Sequence, residues 1–150
     1  MKLAEVLATK GTAVATIPAD APAADAIRTL AARNIGALVA TNPAGDVAGI
    51  VSERDVVRAI AAGLPVHELP VAALMTAEVI CGAPDDDLEP VLAAMTAGHF
   101  RHLPVVADGR LVGLVTTGDL AQALLRSLAG RLETLEIRLE AEIDQYGVGR

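Results

Sequence analysis

Residues 47–55 read VAGIVSERD, and residues 111–119 read LVGLVTTGD. Each stretch is an apolar run around a glycine, and each ends with a hydroxyl side chain that is followed three places later by an aspartate. Those pairs are Ser52 with Asp55 and Thr116 with Asp119. Internal repetition of this kind indicates a duplicated structural unit. We therefore expect two similar halves, each carrying an equivalent half-site.

The first copy is expected to follow the order strand, helix, strand, strand, helix. Apolar residues alternate or run together in the predicted strands and recur every three or four positions in the helices. The predicted elements are a strand at 13–17, a helix at 20–34 capped by Asp20, strands at 36–40 and 47–51, and a helix at 53–62 capped by Ser52. In that last helix we expect Val56, Val57 and Ile60 to face the core.

The second copy shows the same order of patterns. The predicted elements are a strand at 79–81, a helix from the acidic residues 85–87 to about 98, strands at 103–106 and 111–115, and a helix from 116. Asp87 is the expected cap, because Pro90 then lies in the first turn, where its missing N–H is tolerated.

These patterns predict an α+β fold of two tandem β-α-β-β-α repeats related by a pseudo-two-fold axis. The predicted divisions are an N-terminal helix at 1–11, repeat 1 at 12–63, a connector at 64–76, repeat 2 at 77–126 and an amphipathic helix at 127–150. The apolar stripe of that last helix contains Leu128, Leu132, Leu135, Leu139, Ile143 and Tyr146. Such a stripe needs a cover, either a second subunit or the chain's own core.

Composition narrows the classes of function. The net charge of −7 argues against a nucleic-acid binder, which needs a basic surface. Phe100 and Tyr146 are the only aromatic residues, so we expect aliphatic side chains and backbone to hold any ligand ring. No apolar run is long enough for a membrane helix. With Cys81 as the single cysteine, we expect a cytoplasmic protein.

The repeated motif resembles a known family. GIVSERD at 49–55 and GLVTTGD at 113–119, together with HLPVV at 102–106 and LMT at 74–76, closely resemble the cystathionine-β-synthase (CBS) domain family over about residues 12–126. The resemblance implies a tandem pair, often called a Bateman module. It also implies binding of an adenine nucleotide (AMP, ADP or ATP), or of NAD or S-adenosylmethionine, in clefts between the repeats, and association as a homodimer.

Carried over by position, the resemblance makes Asp55 and Asp119 the acceptors for ribose hydroxyls, and a carboxylate suits that role because charge-assisted hydrogen bonds are strong. The predicted nucleotide-binding residues are Ser52, Asp55, Thr116, Thr117 and Asp119 for ribose and phosphate oxygens, Arg54, Arg101 and His102 for phosphate, Ile80 and Pro104 for adenine in one cleft, and Ile17 and Val39 for adenine in the other. Since Gly118 replaces Arg54 and Pro104 replaces Val39 between the copies, one cleft should bind better than the other.

Simpler interpretations remain open for the same residues. Ser52 with Asp55 and Thr116 with Asp119 also fit a helix capping box. His99 and His102 lie three apart, but no further ligand completes a metal site. The sequence shows no catalytic cluster, so no enzyme is expected. The leading hypothesis is a regulatory module that signals to a separate effector protein, and the alternative is a dimeric scaffold without a ligand.

Overall fold

The computed structural model describes residues 1–146 and shows two repeats of mixed helix and strand. In chain order the elements are α1 (Leu3–Lys10), β1 (Thr16–Pro18), α2 (Ala23–Arg33), β2 (Ala37–Thr41), β3 (Val47–Ser52), α3 (Glu53–Ala61), α4 (Val71–Leu74), α5 (Leu88–Ala97), β4 (His102–Ala107), β5 (Arg110–Thr116) and α6 (Thr117–Tyr146). The predicted α+β class, with its tandem repeats, N-terminal helix and long C-terminal helix, is confirmed.

The hairpins β2–β3 and β4–β5 have the same register. Leu38 lies opposite Val51 in the first hairpin, and Leu103 lies opposite Val115 in the second. Both ladders are antiparallel, and both shift their register near the turn. All four side chains are buried, each pair within a separate hydrophobic cluster. Each repeat therefore has its own core.

Within residues 1–146, a third strand forms in only one repeat. In the first repeat, β1 pairs in parallel with β2. In the second repeat, the prediction of a strand at 79–81 is wrong, because the chain there makes only an isolated bridge from Gly82 to β4. The backbone N–H of Ala83 donates to the Asp86 carboxylate at 2.7 Å. Pro84 has no N–H to donate, so the strand cannot continue.

The N-cap position follows the sequence in two of the three predicted cases. Ser52 caps α3 with its side chain, whereas Asp87 occupies the N-cap position of α5 without a side-chain capping bond and pairs with Lys2 instead. The predicted cap at Asp20 is wrong, because α2 begins only at Ala23. The N–H of Ala23 donates to the carbonyl of Leu69 at 2.8 Å, so the connector satisfies a donor that a capping side chain would otherwise bind.

Part of the apolar face of α3 is exposed. Val57 and Ile60 are 64% and 58% exposed, so the prediction that they face the core is wrong. Val56 and Ala59 pack in the first core instead. By helical spacing these four residues form one continuous apolar face, and only the side that carries Val56 and Ala59 reaches the core.

The first helix and the connector pack on opposite repeats. Leu3, Val6 and Leu7 of α1 are buried in the core of the second repeat. Val71 and Leu74 of α4 are buried in the core of the first repeat. In the chain, α1 precedes the first hairpin but packs in the core of the second repeat. Likewise, α4 precedes the second hairpin but packs in the core of the first repeat.

The helix predicted at 127–150 is the second part of α6, which runs for 30 residues. Its apolar stripe is exposed from Leu125 to Tyr146, so the stripe does not fold back on the core. Residues 147–150 of the predicted helix lie outside the described residues. None of the helices within 1–146 combines the length and the apolar character needed to cross a bilayer.

Candidate functional site

A cavity of about 380 Å³ lies where the two repeats meet. Its wall comes from the end of β3 and the start of α3, from the segment 76–80, and from residues 99–102 ahead of β4. This volume falls in the range of small-molecule binding sites. The two repeats thus share one cavity beside the first copy of the motif.

The carboxylate of Asp55 borders this cavity and also holds the start of α3. Its Oδ2 accepts hydrogen bonds from the backbone N–H of Ser52 at 2.8 Å and from the Ser52 hydroxyl at 2.9 Å. The N–H of Asp55 donates back to Ser52 Oγ at 3.3 Å, which completes a capping box. Capping therefore occupies mainly one oxygen of the carboxylate.

The other oxygen of Asp55 faces the connector. Oδ1 accepts a hydrogen bond from the hydroxyl of Thr76 at 3.2 Å. Thr76 is held in place because its backbone exchanges two hydrogen bonds with Ile50 of β3, at 2.8 and 3.0 Å. A carboxylate oxygen has two lone pairs, so Oδ1 retains room for a further donor.

Positive charge at the cavity comes from Arg54, Arg58 and Arg101. The guanidinium of Arg54 reaches across to donate to the backbone carbonyl of His99 at 3.1 Å, which links the two repeats. Burial, followed by neighbouring cationic side chains, lowers the pKa of His102. His102 is therefore mostly neutral at pH 7, and the arginines are the groups that can meet an anion.

The structure separates the predicted binding residues into two groups. Those that line the cavity are Ser52, Arg54, Asp55, Ile80, Arg101 and His102. Those that do not are Ile17, Val39, Pro104, Thr116, Thr117 and Asp119. Ile17, Val39 and Pro104 are buried. Val39 lies in the central strand of its sheet, where both faces are covered.

Asp119 has different neighbours from Asp55. Its Oδ2 accepts a hydrogen bond from the backbone N–H of Thr116 at 2.8 Å and from Lys10 Nζ at 2.6 Å. Lys10 Nζ also donates to the carbonyl of Leu114 at 2.6 Å. Burial alone would raise the pKa of the Asp119 carboxyl, but the bonds from Lys10 and Thr116 outweigh it, and the pKa lies below its ordinary value.

Sequence reasoning missed several residues of the cavity wall. Thr76 ends the LMT motif, but only the fold shows that its hydroxyl reaches Asp55. Arg58 follows Arg54 by four positions, a spacing that puts both on one face of α3. Phe100 also lines the cavity, so one aromatic side chain is present there beside the aliphatic ones. Within residues 1–146, no three side chains gather as a metal site requires.

Comparison with known proteins identifies the repeated unit. The CBS domain family matches residues 5–62 and 71–126, which together make up most of the chain. The chain belongs to the CBS domain family. The resemblance carried by the motifs at 49–55 and 113–119 is thereby confirmed.

Solved CBS-domain proteins share the fold. The CBS-domain containing protein ATU1752 from Agrobacterium tumefaciens is 36% identical with a TM-score of 0.78, over 82% of this chain and 98% of that one. The CBS domain protein PAE2072 from Pyrobaculum aerophilum is 27% identical with a TM-score of 0.75, over 87% of this chain and 99% of that one. The latter was solved in complex with AMP.

Some curated relatives are considerably longer. An uncharacterized protein of Methanocaldococcus jannaschii, MJ1225, is 33% identical over 74% of this chain. This CBS-domain chain spans 39% of the length of that relative.

Proposed function

We propose that the chain is a non-catalytic regulatory module that binds an adenine nucleotide in the cavity beside Asp55. The observation that carries this proposal is the carboxylate itself, which borders a cavity of about 380 Å³ with one oxygen open to a further donor. The AMP complex of the Pyrobaculum aerophilum relative supports the choice of ligand class.

The wall residues match the parts of a nucleotide. The adjacent ribose hydroxyls would donate to Asp55, in charge-assisted hydrogen bonds that are stronger than neutral ones. The phosphate would lie toward Arg54 and Arg58, whose planar guanidinium groups suit phosphate oxygens. The base would lie beside Ile80 and Phe100, which contribute to the apolar surface of the cavity.

The position of the cavity suggests how binding becomes a signal. Its wall is shared by α3, the segment 76–80 and residues 99–102, so a ligand that touches all three stabilises one arrangement of the repeats. We propose that a separate effector protein distinguishes this arrangement from the unliganded one. We also propose a cytoplasmic location, which suits the free thiol of Cys81.

A second copy of the chain is the proposed cover of the α6 stripe. The exposed residues Leu125, Leu132 and Leu139 recur every seven positions, and Leu128 and Leu135 lie between them, as in a two-stranded coiled coil. In a parallel pair, Arg131 of one copy would face Glu136 of the other. An antiparallel pair would instead bring arginines of the two copies together, so charge favours the parallel arrangement. The same surface supports the alternative of a dimeric scaffold without a ligand.

Thermal unfolding with AMP, ADP, ATP, NAD and S-adenosylmethionine tests the nucleotide proposal. A ligand at a hundredfold its Kd adds about 2.7 kcal/mol to the free energy of unfolding, or about 5–10 °C in Tm. Asp55→Asn should weaken binding at least about tenfold, because a hydrogen bond to a charged group contributes about 1.5–3 kcal/mol. Asp25→Asn is the matched control, since Asp25 pairs with Arg28 on the surface of α2. If none of the five ligands raises the Tm, the result would favour the scaffold.

A further inference from the structure

Asp55 and Asp119 occupy the same place in their repeats but have different partners. Each follows a capping hydroxyl residue by three positions and accepts a hydrogen bond from that residue's N–H at 2.8 Å. Beyond the cap, Asp55 accepts from the neutral hydroxyl of Thr76. Asp119 instead accepts from the ammonium of Lys10 at 2.6 Å.

Glycine contacts show which residues correspond around the two aspartates. A Cβ on Gly113 would lie 2.6 Å from the side chain of Leu7, and a Cβ on Gly49 would lie 2.7 Å from the side chain of Met75. Leu7 and Met75 thus occupy equivalent positions on the two hairpins. The carbonyl of Ile50, which follows Gly49, accepts a hydrogen bond from the backbone N–H of Thr76 at 2.8 Å, whereas the carbonyl of Leu114, which follows Gly113, accepts one from Lys10 Nζ at 2.6 Å.

Lys10 therefore brings a positive charge to the place beside Asp119 where the neutral Thr76 lies beside Asp55. Glu78 lines the cavity beside Asp55 and brings no cation to it. Lys10 binds Asp119 and the carbonyl of Leu114 at once, so its ammonium is anchored from two sides. Lys10 thus places an ammonium in a charge-assisted ion pair on the Asp119 oxygen that also accepts from Thr116, whereas beyond its cap Asp55 meets only a neutral hydroxyl.

We propose that Lys10 closes the second half-site, so that each chain binds a single nucleotide, at Asp55. The ammonium of Lys10 takes the place at Asp119 that ribose hydroxyls take at Asp55. This inference rests on the proposed function for the kind of ligand. Its physical basis is the difference between the Lys10 ammonium at Asp119 and the neutral Thr76 hydroxyl at Asp55.

Calorimetric titration of the full chain with AMP tests whether Lys10 closes the second half-site. Wild type is expected to bind one equivalent per chain, and Lys10→Ala is expected to bind two. The added equivalent should disappear in Lys10→Ala/Asp119→Asn. Lys2→Ala is the matched control, because Lys2 belongs to the same N-terminal segment and pairs with Asp87 at 2.8 Å, outside the cavity wall. This control should bind one equivalent, as wild type does.

Two results would contradict the proposal that Lys10 closes the second half-site. One is an unchanged stoichiometry in Lys10→Ala while NMR shows the pKa of Asp119 raised, since the ion pair would then be lost without opening a site. The other is loss of the wild-type equivalent in Lys10→Ala, which would make Lys10 a ligand contact. Asp55→Asn tests the proposed function separately. If this variant still binds one AMP per chain, the proposed site at Asp55 is wrong. The number of AMP molecules bound by Lys10→Ala still decides whether Lys10 closes the second half-site.

Discussion

Asp55 accepts two hydrogen bonds from Ser52 with one carboxylate oxygen and keeps its other oxygen beside the cavity. The sequence presented capping and ligand binding as alternatives for this residue. The geometry makes them compatible, because a carboxylate has about four lone-pair positions and the cap uses two of them. The cap also fixes the direction of the carboxylate, so the acceptor is held in place before a ligand arrives.

The Lys10–Asp119 ion pair predicts a stability difference that depends on pH. A carboxyl whose pKa is lowered by folding stabilises the folded state above its unfolded pKa, and this contribution is lost as pH falls through the folded pKa. Lys10→Ala should therefore reduce the free energy of unfolding by about 1 kcal/mol or less at pH 7, because the pair is partly exposed. Urea unfolding at pH 7 and near pH 3 checks this, and a difference that persisted unchanged in acid would contradict it.

Gly49 lies where the connector packs closely against the first hairpin. A Cβ at this position would lie 2.7 Å from the backbone oxygen of Thr76, which cannot rotate away. Gly49→Ala should therefore cost about 1–3 kcal/mol in unfolding free energy.

Gly130→Ala is the control for that substitution. Gly130 lies within α6 with nothing within 4 Å of its Cβ position, so alanine there should stabilise the chain by about 1 kcal/mol. Chemical denaturation of both variants gives the two values. Equal effects of the same sign would show that the close contact at Gly49 does not matter.

The helices and strands show what the pattern of one chain can predict. The hairpins, the cap at Ser52 and the length of the apolar stripe follow from neighbouring residues, and the structure contains all of them. The exposure of Val57 does not follow, because an apolar helix face looks the same in sequence whether it meets the core or a partner. The contact of Lys10 with Asp119 joins residues 109 positions apart, and no local pattern specifies it.

Helix α6 predicts how two copies pair. Leu132→Asn should shift the protein from dimer to monomer in size-exclusion chromatography with light scattering, because Leu132 belongs to the stripe of leucines that recur every seven positions. Ile137→Asn is the matched control, since Ile137 is 61% exposed, compared with 62% for Leu132, but lies off the stripe. A dimer that survives Leu132→Asn, or that is lost equally in both variants, would contradict pairing through this stripe.

Charge reversal tests the direction of that pairing. Arg131→Glu and Glu136→Arg should each weaken the dimer, because each places like charges opposite one another in a parallel pair. The double variant should recover most of the loss, since opposite charges then face each other again. Sedimentation equilibrium gives the dimer Kd of each variant, and failure of the double variant to recover would argue against the parallel arrangement.

The exchange of short helices between the repeats predicts that the chain unfolds as one unit. The family match groups α1 with the first repeat and α4 with the second, yet α1 completes the core of the second and α4 that of the first, so neither repeat keeps its core when the other is removed. Leu3→Ala should lower the unfolding free energy by about 2–5 kcal/mol, because Leu3 is fully buried. Leu64→Ala, at an exposed position, should change it by about 0.5 kcal/mol or less.

Differential scanning calorimetry distinguishes one unit from two. If the exchanged helices join the cores, wild type shows a single transition whose calorimetric and van't Hoff enthalpies agree, and Leu3→Ala moves that transition as a whole. If the repeats unfold separately, Leu3→Ala moves only the part of the heat absorption that belongs to the second repeat. In that case α1 stabilises one core without coupling it to the other, and a nucleotide at Asp55 would leave the melting of the second repeat unchanged.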